Sequence, residues 1–244
     1  MQNLPTKLYR ADQVKALDRI AIEERGIPSI ILMTRAGQAA FEVIQSKWTQ
    51  INSIGVFCGS GNNGGDGYIV ALEALKAGIK INVFSVLPTN KLKGDALSAF
   101  NEYINAGGTV VDFCPTVNFS ADVVVDALLG TGLDRDVAGV YSDAIETINT
   151  MNAHVIAIDI PSGLNADTGC VMGRAVKADC CVSFIGLKQG LFTGQAADYC
   201  GEIIFSSLDA PDDIYQEISC TVELVQNCKI PRRSRCAHKG SNGN

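Results

Sequence analysis

The sequence predicts an α/β fold in which helices cover both faces of a mostly parallel sheet. Two observations predict it. Short apolar runs alternate with helical stretches at the spacing of βαβ units. Those runs are apolar at every position rather than at every second one, as strands are when both faces of their sheet are buried. With 244 residues, 47% of them hydrophobic, the chain can bury the core of one large domain or two small ones.

Residues 10–25 place Val14, Leu17, Ile20 and Ala21 on one face of a first helix, which Gly26 and Pro28 stop. Residues 30–48 form a second, with Met33, Ala36, Ala40, Val43 and Ile44 inward. SIGVFC (53–58) is the first buried strand. The stretch GSGNNGGDG follows, then a helix from about Asp66 to Ala77, capped by Gly78. KINVFSV (80–86) is the next strand, and a helix over roughly 94–106 ends at Gly107-Gly108. TVVDF (109–113), DVVVDAL (122–128), HVIAIDI (154–160), CCVSFIG (180–186) and GEIIFSS (201–207) complete the strands, with a helix at about 140–151 between two of them.

Composition removes several classes of function. The formal net charge is −6, so neither nucleic acid nor an anionic membrane is the expected partner. Phosphates of an anionic substrate would fall to backbone N–H groups and helix N-termini. Nine cysteines without paired spacing do not make a disulfide framework, and adjacent Cys180 and Cys181 read as small buried hydrophobes. With only His154 and His238, a histidine zinc site is not expected. The first 26 residues carry charges throughout and no signal-peptide core, and no apolar run reaches the ~18 residues of a membrane span. These features predict a cytoplasmic protein. In that compartment Asn118-Phe119-Ser120 is a chance match to the glycosylation pattern.

Three segments leave strand ends rich in glycine and polar residues: GSGNNGGDG after 53–58, GTGLDRDVAG after 122–128 and PSGLNADTG after 154–160. In an open parallel sheet ligands bind beyond the carboxyl ends of the strands. One such segment is an ordinary turn; three on one edge make a site. Gly59, Gly61 and Gly64 fit the dinucleotide pattern G-x-G-x-x-G, but the following strand ends in Phe84-Ser85-Val86-Leu87-Pro88, with no acid to hold a ribose. A dehydrogenase is therefore disfavoured. The P-loop pattern is absent.

The side-chain oxygens at these ends come from Asn62, Asn63, Asp126, Asp159 and Ser162. Amide, carboxylate and hydroxyl oxygens suit a hard cation, with too few carboxylates for calcium. A monovalent ion or a proton-transfer site fits. Taken alone, Asp126 or Asp159 is also explained by helix capping or hydrogen bonds to loop amides. Both follow buried β-branched runs, where a carboxylate tends towards the perturbed protonation of a catalytic acid or base.

In this order and spacing, GSGNNGGDGYIVA, VVDALLGTGL and AIDIPSGLNADTG closely resemble the YjeF N-terminal domain family, the NAD(P)H-hydrate epimerases. GIPSIILMTRAG and GLKQGLFTGQAADYCGEI resemble further segments of that family, so the likeness runs from about residue 9 to 207. It implies a Rossmann-like three-layer α/β/α sandwich and epimerisation of hydrated NADH and NADPH at the C6 hydroxyl of the nicotinamide ring, a nucleotide-repair reaction. It implies that Asn62, Asn63, Gly64, Gly65 and Asp66, together with Gly130, Thr131, Gly132, Leu133, Asp134, Arg135 and Asp136, line the substrate, with Asp159 at its reacting end. Asn63, Asp126 and Ser162 would hold a potassium ion (K+). One carboxylate, Asp159, can protonate the leaving hydroxyl and then activate the returning water. Lys188, between an apolar strand and Gly190, could neutralise a phosphate or equally be a solvated loop lysine. Thr34 stands where the family has an acid or amide, and no role is assigned to it.

The tail PRRSRCAHKGSNGN resembles the join to a fused dehydratase. This implies an epimerase domain over residues 1–227, with 228–244 a linker that can include the start of a missing dehydratase domain, the expected functional partner; by composition alone 228–244 reads equally as a disordered tail. A two-helix N-terminal arm often packs across a subunit boundary, which predicts a homodimer. Two other readings stay open: a non-catalytic binding or scaffold module of the same fold, and an enzyme of another class acting on nucleotides or sugars.

Overall fold

The computed structural model describes residues 4–220 and 222–225. The expected linker and domain start at 228–244 lie outside the described residues. In chain order the elements are β1 (Lys7–Tyr9), α1 (Ala11–Arg19), α2 (Ser29–Lys47), β2 (Ser53–Cys58), α3 (Asn62–Lys76), β3 (Lys80–Ser85), α4 (Gly94–Asn105), β4 (Val110–Asp112), β5 (Val123–Ala127), α5 (Val140–Thr150), β6 (His154–Ile158), β7 (Cys180–Phe184), β8 (Leu187–Lys188), β9 (Glu202–Ser206), α6 (Ile214–Glu217) and β10 (Val222–Glu223). Helix α1 runs directly into a π-helical segment, Ile20–Glu24.

Seven strands form one parallel sheet in the order β4-β3-β2-β5-β6-β7-β9. Alternation along β2 explains the two helical layers. Ile54, Val56 and Cys58 join the core made with α1 to α4, whereas Phe57 points to the opposite core with Phe84, Phe113 and the buried face of α5. The chain moves outward from β2 through β3 to β4, then returns to β5 on the other side of β2. That reversal opens a crevice at the carboxyl ends of β2 and β5, the usual place for a ligand in such sheets.

Two elements differ from expectation. Helix α3 begins at Asn62, four residues before the predicted start, so only 59–61 is loop. Two glycines in a first turn lower helix propensity, but tertiary packing decides: a Cβ on Gly65 would meet the Met33 side chain at 2.6 Å, and one on Gly64 the Gly59 carbonyl at 2.0 Å. The second difference is a small sheet, β10-β1-β8, whose strands are too short to show a period. Its register sets Tyr9 beside Lys188, which starts α1 next to the edge of the main sheet.

The N-terminal arm packs on its own body. Val14, Leu17, Ile20 and Ala21 of the first helix, and Leu32, Met33, Ala36, Ala40 and Ile44 of the second, belong to the main core. No described helix is long and apolar enough to cross a membrane.

Candidate active site

A cleft of about 800 Å³ lies over the crevice between β2 and β5. Its walls include Asn62, Asn63 and Asp66 of α3, the whole stretch 128–138, Asp159 beyond β6, and Asp18 of α1. The structure therefore brings the predicted segments together. Gly64, Gly65, Asp126 and Ser162 stand behind the wall rather than in it. The first N–H groups of α3 lack partners inside their helix and open at its positive end, a ready anion cradle. Asp134, Arg135 and Asp136 edge the cleft and are exposed.

Asp159 follows the last residue of β6 and adopts φ +72°. Left-handed backbone costs an L-residue roughly 1–2 kcal/mol, and such strain clusters at functional sites. Ile185, just past β7 and also in the cleft wall, has φ +60°. The Asp159 side chain is 17% exposed, and its Oδ1 is bound by Lys188 Nζ. Oδ2 accepts from Thr131 N at 3.3 Å. Lys188 is 1% exposed at its side chain. Its other N–H groups donate to Ser183 Oγ at 3.1 Å and the Phe184 carbonyl at 3.2 Å. An ammonium has three protons, and all three are used within the protein. Lys188 is thus a buried partner of Asp159, not the phosphate-neutralising loop lysine expected.

Asp126 is wholly buried within β5. Its Oδ1 accepts from Leu128 N at 3.2 Å and Ser162 Oγ at 2.6 Å, and its Oδ2 from Ser162 N at 2.8 Å. Ser162 Oγ in turn accepts from Leu129 N at 2.8 Å. Hydrogen bonding to loop amides is therefore what Asp126 does here. Burial nonetheless outweighs these bonds and pushes its carboxyl up to about 6. Asn63 is 8% exposed, and both its amide oxygen and amide nitrogen lack a protein hydrogen-bond partner. Leaving such atoms unpaired costs on the order of 1–3 kcal/mol, so a ligand is their natural complement. Leu128, Leu129 and Gly130 tie the three residues together. Asp126 holds the first and Ser162 the second, and a Cβ on Gly130 would lie 3.6 Å from Asn63 Cβ and 3.2 Å from Asp159 Oδ2. These residues fit a hard monovalent cation: one unpaired amide oxygen, one hydroxyl and one carboxylate.

Asp66 and Asp18 add two carboxyls to the cleft. Burial, then the charges of Asp159 and Asp18, hold Asp66 well above the usual carboxylate range, against the pull of Lys188. Burial pushes Asp18 up to about 6, with Lys188 lowering it and Asp159 raising it. Sequence reasoning missed Asp18, which sits among the charges of a helix read only for its apolar face. Thr34 caps no site: its Oγ1 donates to the Ile30 carbonyl at 2.8 Å, one helical turn back.

Residues 29–190 match the family described as YjeF-related protein N-terminus. The chain is 40% identical over 98% of its length to the bifunctional NAD(P)H-hydrate repair enzyme Nnr of Coxiella burnetii, of which it covers 49%. It is 39% identical to the Vibrio cholerae protein of the same name, again over 98% of this chain and 49% of that one. It thus spans about half the length of these curated relatives. The NAD(P)H-hydrate epimerase of Limosilactobacillus fermentum is 38% identical over 80% of this chain, and 93% of that protein is covered. The crystal structure of yeast ynu0, YNL200c, superposes with a TM-score of 0.74 over 91% of this chain and 97% of that one, at 15% identity, a likeness of fold.

Proposed function

The chain belongs to the YjeF-related N-terminal family, and from that premise we propose that it interconverts the R and S forms of hydrated NADH and NADPH at the C6 hydroxyl of the nicotinamide ring. The observation that carries the reading is the Asp159–Lys188 pair: a carboxylate on strained backbone, aimed into a dinucleotide-sized cleft by a lysine that solvent does not reach. Relatives named for this substrate support it.

The hydroxylated carbon adjoins the ring nitrogen, whose lone pair can expel hydroxide and leave a planar, cation-like ring. Water returning to the opposite face gives the other epimer. With Oδ1 held by the Lys188 ammonium, ionised Asp159 keeps Oδ2 as an acceptor towards the cleft, so it is suited to take the proton of the incoming water and to return that proton in the reverse direction. This revises the single-residue scheme, because hydroxide departure then needs a different donor. Acid–base help of this kind typically contributes ~10²–10⁴-fold. The first turn of α3 and the stretch Gly130 to Asp136 hold the phosphates and ribose, with Lys15 and Arg135 as cations in the cleft wall.

Potassium would be held by Asn63, Asp126 and Ser162, and would supply positive charge that fixes the 128–133 stretch against the substrate. The seven cysteines among the described residues are free thiols, which supports the reducing cytoplasm as the compartment. The bifunctional relatives support coupling to a dehydratase that consumes one epimer.

The test supplies a mixed pool of hydrate epimers with a dehydratase specific for one of them. With this chain added the whole pool is consumed. A pool that stops at one epimer overturns the reading. Activity should rise with potassium and not with lithium, and Asn63→Ala should weaken that response. Equal rates in both salts would remove the cation.

A further inference from the structure

The cleft wall holds more carboxyls (Asp18, Asp66, Asp95, Asp134, Asp136 and Asp159) than cations (Lys15, Arg135 and Lys188). Asp159 takes Lys188 through Oδ1, while Asp18 and Asp66 line the same cavity. Among the described residues neither Asp18 nor Asp66 has a side-chain hydrogen bond or an ion pair, so both carboxyls are left to the cavity. The site is built for a ligand on separate grounds, since Asn63 in the same wall is nine-tenths buried with its amide unpartnered. Asp18 reaches the cleft from α1, a different element from the sheet edge that carries Asp159. The β1–β8 pairing fixes that approach by starting α1 beside Lys188. Immediately after Arg19 the helix widens into its π segment, and Ile22 there also lines the cavity. Such π insertions are frequent at functional sites.

We propose that Asp18 is the second proton-carrying catalytic residue of this cleft, donating to the departing hydroxide while Asp159 accepts from the incoming water. The assignment rests on the epimerase reading above. In the first step the C6–O bond breaks with its electron pair going to oxygen. The N1 lone pair forms the C6–N1 double bond, and the Asp18 proton completes a water molecule. In the second step a water oxygen pair forms the new C6–O bond on the other face. The π pair returns to N1, and Asp159 takes the surplus proton. The reverse epimerisation runs with the roles exchanged, and water in the open cleft resets the protons between turnovers.

The electrostatic surroundings suit the task. Burial and Asp159 raise Asp18, Lys188 lowers it, and the result lies near 6, within reach of neutral pH for a general acid. Burial also raises Asp66 well above the usual carboxylate range. The other charged or titratable groups around Asp18 are Lys15 on its own helix, Asp95 of α4, Tyr215 of α6, and Asp134, Arg135 and Asp136 at the rim.

The test measures kcat and KM for the unaltered chain and Asp18→Asn in the dehydratase-coupled assay across pH. The expected result is a loss of about 10²-fold or more in kcat, with KM little changed. The alkaline limb near pH 6, where Asp18 gives up its proton, should vanish. Asp18→Glu should recover part of the rate. An active chain whose Asp18→Asn variant keeps its kcat and that limb overturns this assignment alone. An inactive unaltered chain overturns the epimerase reading with it. Because Asp18→Asn could fail to fold, carboxyl ¹³C resonances of the unaltered chain provide a second readout. Asp18 should titrate near 6, and titration in the ordinary range around 3.9 overturns the proposal.

Discussion

Asp126 and Asp159 leave adjacent parallel strands, β5 and β6, and the fold treats them differently. Asp126 lies in regular strand backbone, fully buried, its two oxygens shared among Leu128 N and the N and Oγ of Ser162. Asp159 lies one residue past its strand with φ +72°, in part open, and is steadied by a buried lysine and one long amide bond. The first carboxylate is consumed in fixing a loop and has only spare lone pairs to offer. The second is strained, reachable and held by a partner that cannot leave. Environment alone thus separates two acids of identical chemistry: one is placed as a scaffold, the other as the reagent of the proposed reaction.

The sharpest way to break this contrast is Asp159→Asn. The amide keeps the shape of the side chain and the Thr131 contact, so folding and substrate binding should persist. The rate in the coupled assay should fall by about 10²–10⁴-fold. Near-normal turnover would make Asp159 no more a reagent than Asp126.

Lys188→Met comes next, because it removes the partner and leaves the reagent in place. Removing one member of a buried pair is destabilising by on the order of 3 kcal/mol, and Ser183 and the Phe184 carbonyl lose their donor as well. A lower denaturation midpoint with a reduced kcat is expected. A midpoint equal to that of the unaltered chain would show that the pair contributes no stability.

Ser162→Ala tests the scaffold side. It deletes the 2.6 Å bond to Asp126 and the acceptor for Leu129 N, at a cost of about 1–2 kcal/mol. KM and the potassium response should suffer more than kcat. A loss confined to kcat, with stability and KM intact, would place the chemistry at Asp126 instead.

Much of this contrast is legible in the sequence. The central strands β2, β5, β6 and β7 announce themselves because burial on both faces makes them nearly continuously apolar, and Asp126, Asp159 and Ser162 stand out as polar residues where those runs stop. What is not legible comes from long-range placement. Lys188 follows a strand and precedes Gly190, the signature of a solvated loop; its three acceptors come from Asp159, Ser183 and Phe184, which only the fold assembles. Asp18 is one charge among Lys15, Arg19 and Glu23 on α1 and its π extension, and a two-residue pairing of β1 with β8 decides that it meets the cleft. The start of α3 is hidden for the opposite reason, since its glycines lower propensity while permitting the packing that makes the helix.

The smallest expected effect concerns stability against pH. Asp18 rises from 3.8 to about 6 in the fold, so between those values the native state binds protons that the unfolded chain releases. Stability therefore falls as pH rises from about 4 to 6, and the penalty stays constant above. A shift near two units corresponds to at most about 3 kcal/mol, and partial solvent access reduces it to roughly 1 kcal/mol. Asp18→Asn removes the ionisable group, so the variant should melt higher than the unaltered chain at pH 7.5. The two should converge as pH falls below about 4. Thermal denaturation of both proteins at matched ionic strength measures the gap. A gap that widens on acidification would reverse the sign and mean that the Asp18 carboxyl is lowered by the fold and stabilises it when ionised, the opposite of an acid kept protonated for the reaction.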